Sequence, residues 1–412
     1  MDENNRFLRE NRTFGKGDKS DPDDAEISLV MEKSQRRTAK EFFVKYFLHG
    51  QQLTDDENQN SITSNEVSFD FVLLQKYRKF FAFLIPFVIA QFVWWSLALR
   101  FEFLPLYETH WQMPVTMIGG AIVAGMTAEG GGAIAFPVMT FILHTTPKTA
   151  RDFSLMIQAT GMSMAFFAIF FMRIQVEWRA ILYGLSGAIP GLIIGFKTLD
   201  QVLAAPEKKM LFVSIWSAFA IALYILNREK KRQTVTVIQN FSPSKAATLI
   251  LTGFIGGIFT SFAGSGLDIC VFSMITLLFR VSEKTATPST VIAMALLSQF
   301  AVFWRVVIDY DIDPIAVDYL KVSAPIVVFF APFGSFIGSH FHRLTLAWLV
   351  CLLEIAAFVG FLATRPTVIL LGTSVGILIV GFVFFYFLSR AGKKLMGKEQ
   401  EKTIIDLKVI QN

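Results

Sequence analysis

The sequence is poor in charge and in cysteine for its length. Only 17% of its 412 residues are charged, and 28 of those 71 charged residues lie within the first 79 positions. Soluble domains carry about 25% charged residues, so the composition excludes a soluble enzyme and a nucleic-acid-binding protein. The two cysteines, Cys270 and Cys351, lie inside apolar stretches, so no disulfide framework of a secreted domain is implied.

Two further signals are missing. The chain does not open on a basic segment followed by an apolar core, which predicts that no signal peptide is cleaved and that the amino-terminal tail stays in the cytoplasm. A GxxxxGK[ST] phosphate-binding loop is also absent from the sequence, so ATP-driven work would require a partner protein.

Hydrophobic residues dominate what is present. They make up 53% of the chain, with 43 Phe and a mean hydropathy of +0.50. A span of the bilayer needs about 20 apolar residues, and the chain holds ten apolar stretches of that kind or longer. The sequence therefore predicts an all-α polytopic membrane protein, with about eight to ten helical segments in contact with the lipid bilayer.

Composition divides the chain into seven regions. They are a polar, largely disordered tail (1–79), a first transmembrane helix and loop (80–113), a first repeat (114–227), a basic linker (228–246), a second repeat (247–363), a last transmembrane helix (364–389) and a basic cytoplasmic tail (390–412).

The repeat is visible in two long stretches, 114–143 and 247–279. Each would reach about 45 Å or more as one helix, against a hydrocarbon core of about 30 Å, and each is interrupted by glycines. Glycines 130–132 align with the Gly-Ser-Gly of 264–266, and the Lys-Thr-Ala of 148–150 aligns with the same tripeptide at 284–286. The sequence therefore predicts two repeats, each containing a helix broken at glycine.

Loop charges bear on the orientation of these repeats. By the positive-inside rule, the basic clusters at 228–232 and 390–398 are cytoplasmic. That requires the long stretches to enter the membrane and return on the same side, which makes the repeats inverted. If the long stretches cross fully, the repeats are parallel and the first cluster lies outside.

Broken membrane helices expose backbone groups that lipid cannot satisfy, so the breaks mark a polar cavity or a bound solute. Glycine permits close approach of the backbone, and a half-helix that begins after a break directs its N–H groups at an anion. The alternative is that the small residues serve tight helix packing. The candidate substrate-binding residues are Gly130, Gly131, Gly132, Pro137, Gly264, Ser265 and Gly266.

Two motifs resemble the TauE/SafE family of sulfite exporters. The first is the glycine-rich turn with the apolar residues and proline of 130–137, and the second is the Pro-Lys-Thr-Ala of 147–150. Residues 284–290 resemble the same motif again, and the similarity covers roughly 114–363. The resemblance implies secondary transport of small anions, typically sulfur-containing oxoanions or organosulfonates, without a cofactor.

The sequence departs from the family pattern at three positions. Glu129 precedes the first glycines, Ser265 replaces a glycine, and Asp268 follows where an apolar residue is usual. A carboxyl group in apolar surroundings is costly when ionised, so Glu129 and Asp268 are candidates for proton coupling. The alternatives are a zwitterionic or cationic solute, and a structural carboxylate paired with a buried cation such as Arg151.

The sequence therefore predicts a secondary transporter of small anions, possessing no enzymatic activity. A channel or receptor on the same scaffold is the first rival. An intramembrane aspartyl protease is the second, suggested by Asp268 and by Tyr310-Asp311. The protease pattern fails because one residue too many precedes Asp268 and because the Tyr-Asp pair comes second in the chain.

Overall fold

The structure, a computed structural model, describes residues 78–127, 131–227, 233–341 and 343–411. Most of the predicted disordered tail, the basic cluster at 228–232, Glu129 and Gly130 lie outside these residues. The described chain is helical, and its one β-bridge joins Val235 to Val281.

Fourteen α-helices are found among the described residues. They are α1 (Arg78–Arg100), α2 (Leu106–His110), α3 (Gln112–Met126), α4 (Gly132–Pro137), α5 (Pro147–Phe171), α6 (Trp178–Lys197), α7 (Leu199–Val202), α8 (Ala205–Asn227), α9 (Pro243–Ala263), α10 (Leu267–Ser273), α11 (Glu283–Phe303), α12 (Pro314–His340), α13 (Arg343–Ala363) and α14 (Val368–Gln411).

Seven of the described helices are long and apolar enough to cross a membrane, namely α1, α5, α6, α9, α11, α12 and α14. The peripheral helices α1 and α14 expose large apolar side chains such as Phe92 and Ile369, which suits contact with lipid. Helix α5 is the most buried of the set. The chain is therefore an all-α polytopic membrane protein, and α14 continues as helix through the region expected to form the carboxyl-terminal tail.

Each long stretch folds into a helical hairpin at its break. In the first hairpin, α4 returns along α3, so a Cβ built on Gly120 would lie 3.5 Å from Ile134 Cγ2. In the second, α10 returns along α9, so a Cβ built on Gly256 would lie 3.2 Å from Cys270 Cβ.

The helices that follow the hairpins, α5 and α11, pack against each other in opposite directions. Arg305, in the π-helical turn that follows α11, bonds to Asp152, early in α5, and Gln299 Nε2 donates to the carbonyl oxygen of Ala159 at 2.9 Å. Along the contact between the two helices, higher residue numbers in α5 therefore pair with lower residue numbers in the α11 segment. This antiparallel pair lies at the centre of the molecule.

Small residues let each hairpin pack closely on a helix of the other half. A Cβ on Gly187 of α6 would overlap the carbonyl oxygen of Ile250 in α9, and one on Gly334 of α12 would overlap that of Ile122 in α3. Only glycine fits at these positions, because the two backbones are in contact.

The molecule has two opposite faces. We name the one holding residues 309–313 the acidic face, and the one holding residues 233–242 the linker face. His110 and Thr149, on either side of the first hairpin, contact Tyr319 and Asp313 at the acidic face. Val281, after the second hairpin, pairs with Val235 of the linker face. The start of α1 and the Ser389 region of α14 both lie on the linker face, where Arg280 Nη2 donates to the Ser389 carbonyl oxygen at 2.9 Å.

Candidate functional site

The two breaks lie against each other at the centre of the molecule. A Cβ built on Gly132 would lie 3.1 Å from Ser265 Cβ and 2.5 Å from Gln158 Nε2. Gln158, on α5, donates from Nε2 to the carbonyl oxygen of Gly264 at 2.6 Å. The structure thus brings residues of both predicted glycine clusters together, and it adds a buried glutamine between them.

Glycine serves different purposes in the two breaks. Gly264 has φ +78° and Gly266 has φ +157°, conformations that other residues rarely adopt. A Cβ on Gly264 would also lie 2.6 Å from Ser154 Cβ. In contrast, Gly131 has an ordinary helical φ of −64°, and a Cβ there would lie 3.6 Å from its nearest neighbour, Met117 Cε. In the first break, the close approach therefore occurs at Gly132 rather than at Gly131.

Asp268 holds the second break in shape. Its carboxyl group is completely buried and accepts hydrogen bonds from Ser265 Oγ at 2.7 Å, from the Gly266 N–H at 2.9 Å and from the Ile269 N–H at 3.0 Å. A carboxylate that receives several hydrogen bonds can be buried at tolerable cost. Asp268 therefore acts as a local cap at the start of α10.

Other N–H groups of the second break are also bonded within it. The Leu267 N–H donates to Thr260 Oγ1 at 3.2 Å, and the Gly264 N–H donates to the Thr260 carbonyl oxygen at 2.9 Å. These groups cannot also bind a solute, which differs from the expectation that both breaks direct N–H groups at an anion. Each half-helix continues directly into a π-helical turn, so the two apolar helices run Gly132–Ile142 and Leu267–Leu278.

A small cavity lies beside the first break. It has room for about one water molecule. Gly131, Gln158 and Gly161 line it together with apolar side chains from α3, α11 and α12, and Gln158 is the one polar side chain among its described lining residues. This cavity therefore lies at the first break.

Buried ion pairs close the acidic face between α5 and α11. Asp152 is buried and accepts hydrogen bonds from Arg151 Nε at 2.9 Å, from Arg305 Nη2 at 3.4 Å and from the Asp313 N–H at 3.0 Å. The Phe196 ring contacts both guanidinium groups, whose Cζ atoms lie 5.4 and 5.6 Å from its centroid. Buried charges require such pairing, so this network ties the two helices together.

A second layer of charges covers this network. Asp311 contacts Lys148 and Arg305, and Lys197 Nζ lies 2.7 Å from Asp309 Oδ1. The hydrogen bond from Lys148 and the charge of Arg305 hold the pKa of the Asp311 carboxyl group below its usual range.

Backbone hydrogen bonds close the linker face. The Ile238 N–H donates to the buried carboxylate of Glu177 at 2.7 Å. Val235 pairs with the chain before α11, donating to the Arg280 carbonyl oxygen at 2.9 Å and accepting from the Ser282 N–H at 2.8 Å. The described part of the linker is therefore folded across the ends of α5 and α11.

Pro137 lies away from the meeting point of the breaks. It is buried at the end of α4, where a π-helical turn, Val138–Ile142, begins. The second half has the same turn at Met274–Leu278 without a proline before it. Pro137 is therefore not needed for the turn, and nothing in the geometry links it to a solute.

Sequence reasoning missed Gln158 and Asp152. The signal for both was their position on α5, where polar side chains interrupt an apolar helix, and Ser154 lies one turn before Gln158 on the same side. Two partners of Asp152, the Arg305 side chain and the Asp313 N–H, lie more than 150 positions away, which no local pattern indicates.

Comparison with known proteins gives one match. The sequence profile of the family described as Sulfite exporter TauE/SafE matches residues 112–361, more than half of the chain, from the start of α3 into α13. No curated protein and no solved structure matches the chain.

Proposed function

Because the chain belongs to the sulfite exporter TauE/SafE family, we propose that it is a secondary carrier of sulfite or of related small anions, including other sulfur oxoanions and organosulfonates. Membership of the family and the set of long apolar helices make the chain an integral, multi-pass membrane transporter. The choice of solute and the coupling are parts of the proposal.

The meeting of the two breaks between closed faces is the observation that supports a carrier most strongly. Gly132 and Ser265 approach each other at the centre, while Asp152 closes one end of the α5 and α11 pair and Glu177 closes the other. A carrier in an occluded state needs this combination. We assign alternating access to the opening of one closure at a time.

We propose that the two halves are inverted repeats and that the linker face is cytoplasmic. The antiparallel packing of α5 on α11 supports inversion, since these helices occupy equivalent places after the two hairpins. The basic residues near both ends of the membrane region support the orientation. Exposed Thr234, replaced by cysteine in a chain lacking Cys270 and Cys351, should resist a membrane-impermeant thiol reagent in intact cells. Efficient labelling would contradict this orientation.

Proton coupling is a separate part of the proposal. Asp268 and Glu129 are its candidate carriers, and the contacts of Asp268 suggest how protonation acts. A protonated carboxyl group accepts fewer hydrogen bonds, so it would release one of the three donors that shape the second break. Asp268→Asn should abolish sulfite flux driven by a pH gradient but preserve sulfite exchange at equal pH. Glu129→Gln gives the same test at the first break. Unchanged gradient-driven flux in both variants would contradict the coupling.

The proposed function is tested by flux in vesicles reconstituted with the purified protein. We expect uptake of radiolabelled sulfite that saturates with concentration, that exchanges with internal sulfite, and that sulfate, thiosulfate or a sulfonate inhibits. A channel would show neither saturation nor exchange. Transport of a cation and of none of these anions would contradict the anion assignment.

The protease alternative loses support from the position of its two aspartates. Asp268 is buried in the second break, whereas Asp311 lies in the acidic-face loop with its side chain 56% exposed and paired with Lys148. An aspartyl protease requires two carboxyl groups that share a site.

A further inference from the structure

Gln158 presents one unused hydrogen-bonding atom at the centre of the carrier. Its side chain is 1% exposed, and its Nε2 donates both to the Gly264 carbonyl oxygen at 2.6 Å and to the Ser154 carbonyl oxygen at 3.0 Å. An amide NH₂ group has two hydrogens, so both are used. The Oε1 atom accepts no hydrogen bond from any described residue.

The orientation of this amide follows from its partners. Both partners of Nε2 are carbonyl oxygens, which accept hydrogen bonds and cannot donate them. Rotating the amide by 180° would set Oε1 against two oxygens. The atom left without a partner on this cavity-lining residue is therefore an acceptor.

The charges around the cavity also favour a ligand that donates a hydrogen bond. Among its described lining residues there is no Lys, Arg or His to neutralise an anion. The nearest buried cation along α5, Arg151, is engaged with Asp152 and with the Phe196 ring. A fully ionised dianion would meet an acceptor oxygen without a compensating cation, which is unfavourable in a buried site.

We propose that Gln158 selects a monoanion that carries its own hydrogen-bond donor, such as a protonated oxoanion, over the unprotonated dianion. The donor of the solute bonds to Oε1, while the amide nitrogen stays fixed to the second break. This inference rests on the proposed anion transport. It assigns solute recognition to a residue outside both glycine clusters.

Two competitors of the same shape and charge test the proposal. Sulfamate and methanesulfonate are both tetrahedral monoanions, and they differ in bearing NH₂ or CH₃ on sulfur. In vesicles containing the wild-type protein, sulfamate should inhibit radiolabelled sulfite uptake about tenfold more strongly than methanesulfonate, the effect of about one hydrogen bond. Equal inhibition would overturn the proposal without requiring any variant.

The variant Gln158→Met retains the length of the side chain and removes the acceptor together with the two amide donors. We expect it to lose the tenfold preference for sulfamate. Ser298→Ala is the matched control, because Ser298 Oγ is also buried without a described partner but does not line the cavity. The control should keep the preference.

The outcomes separate this inference from the function on which it rests. Absence of sulfite uptake and of uptake of any related anion by the wild-type protein would overturn the proposed function. If both the wild-type protein and Gln158→Met take up sulfite and prefer sulfamate to methanesulfonate, only the role assigned to Gln158 is overturned.

Discussion

The two breaks occupy the same place in the two halves of the molecule, but they differ in chemistry. The second break is closed on itself, with left-handed glycines, a capping Asp268 and N–H groups bonded to Thr260. The first break has an ordinary backbone at Gly131 and lies beside the cavity lined by Gln158. A shared layout of helices therefore does not imply a shared role. The second break is held by its own hydrogen bonds, and the first is where we expect a solute.

The largest effect should come from removing the cap of the second break. Asp268→Ala leaves three buried donors without their acceptor, and each costs about 1–3 kcal/mol. We expect a loss of about 3 kcal/mol or more in stability, measured as a lower midpoint of thermal unfolding of the purified protein. Ser298→Ala serves as the control. A wild-type midpoint for Asp268→Ala would mean that the second break is not held by its carboxylate.

A pair of glycine substitutions contrasts the backbones of the two breaks. Gly264→Ala forces a side chain into a left-handed conformation and against Ser154, at a cost of about 2 kcal/mol. Gly131→Ala meets neither obstacle and should change stability by less than about 1 kcal/mol. Thermal unfolding of both variants measures the difference. An equal loss of stability in the two variants would contradict the difference in backbone conformation between the two breaks.

The contrast extends to the two faces, and the ion pairs of the acidic face should respond to pH. Ion pairs hold the acidic face, whereas backbone pairing and the Glu177 carboxylate hold the linker face. Since the folded-state pKa of Asp311 is lowered, its stabilisation is fully present above its unfolded pKa of about 4 and is lost as pH falls through the folded value.

This dependence should be small, because the Asp311 side chain is 56% exposed and solvent screens its pairs. At neutral pH, Asp311→Asn should unfold slightly below the wild-type temperature, by less than about 1 kcal/mol in stability. The two proteins should converge as the pH falls below about 4. If the difference in unfolding temperature between the two proteins stays constant from pH 7 to below about 4, the ion-pair account is contradicted.

Much of this architecture could be predicted from the sequence, because apolar length and glycine spacing are local properties. The crossings follow from hydropathy, and the two breaks follow from glycines in stretches too long for one span. The role of Asp268 could not be read locally, since its three donors are defined only once the chain turns at Gly264 and Gly266. The contact of Gln158 with Gly264 joins residues 106 positions apart, so it depends on the packing of the two halves.

The most direct test of the account is sulfite counterflow in vesicles containing Gly132→Leu. A leucine at this position would overlap Gln158 and press against Ser265, where the two breaks meet, so that these side chains would have to move. Gly119→Leu is the matched control, because Gly119 lies in the same hairpin and a Cβ there meets nothing within 4 Å. The account predicts that Gly119→Leu exchanges sulfite like the wild-type protein and that Gly132→Leu, purified as an equally monodisperse protein, does not. Wild-type exchange by Gly132→Leu would show that the solute does not pass between the breaks.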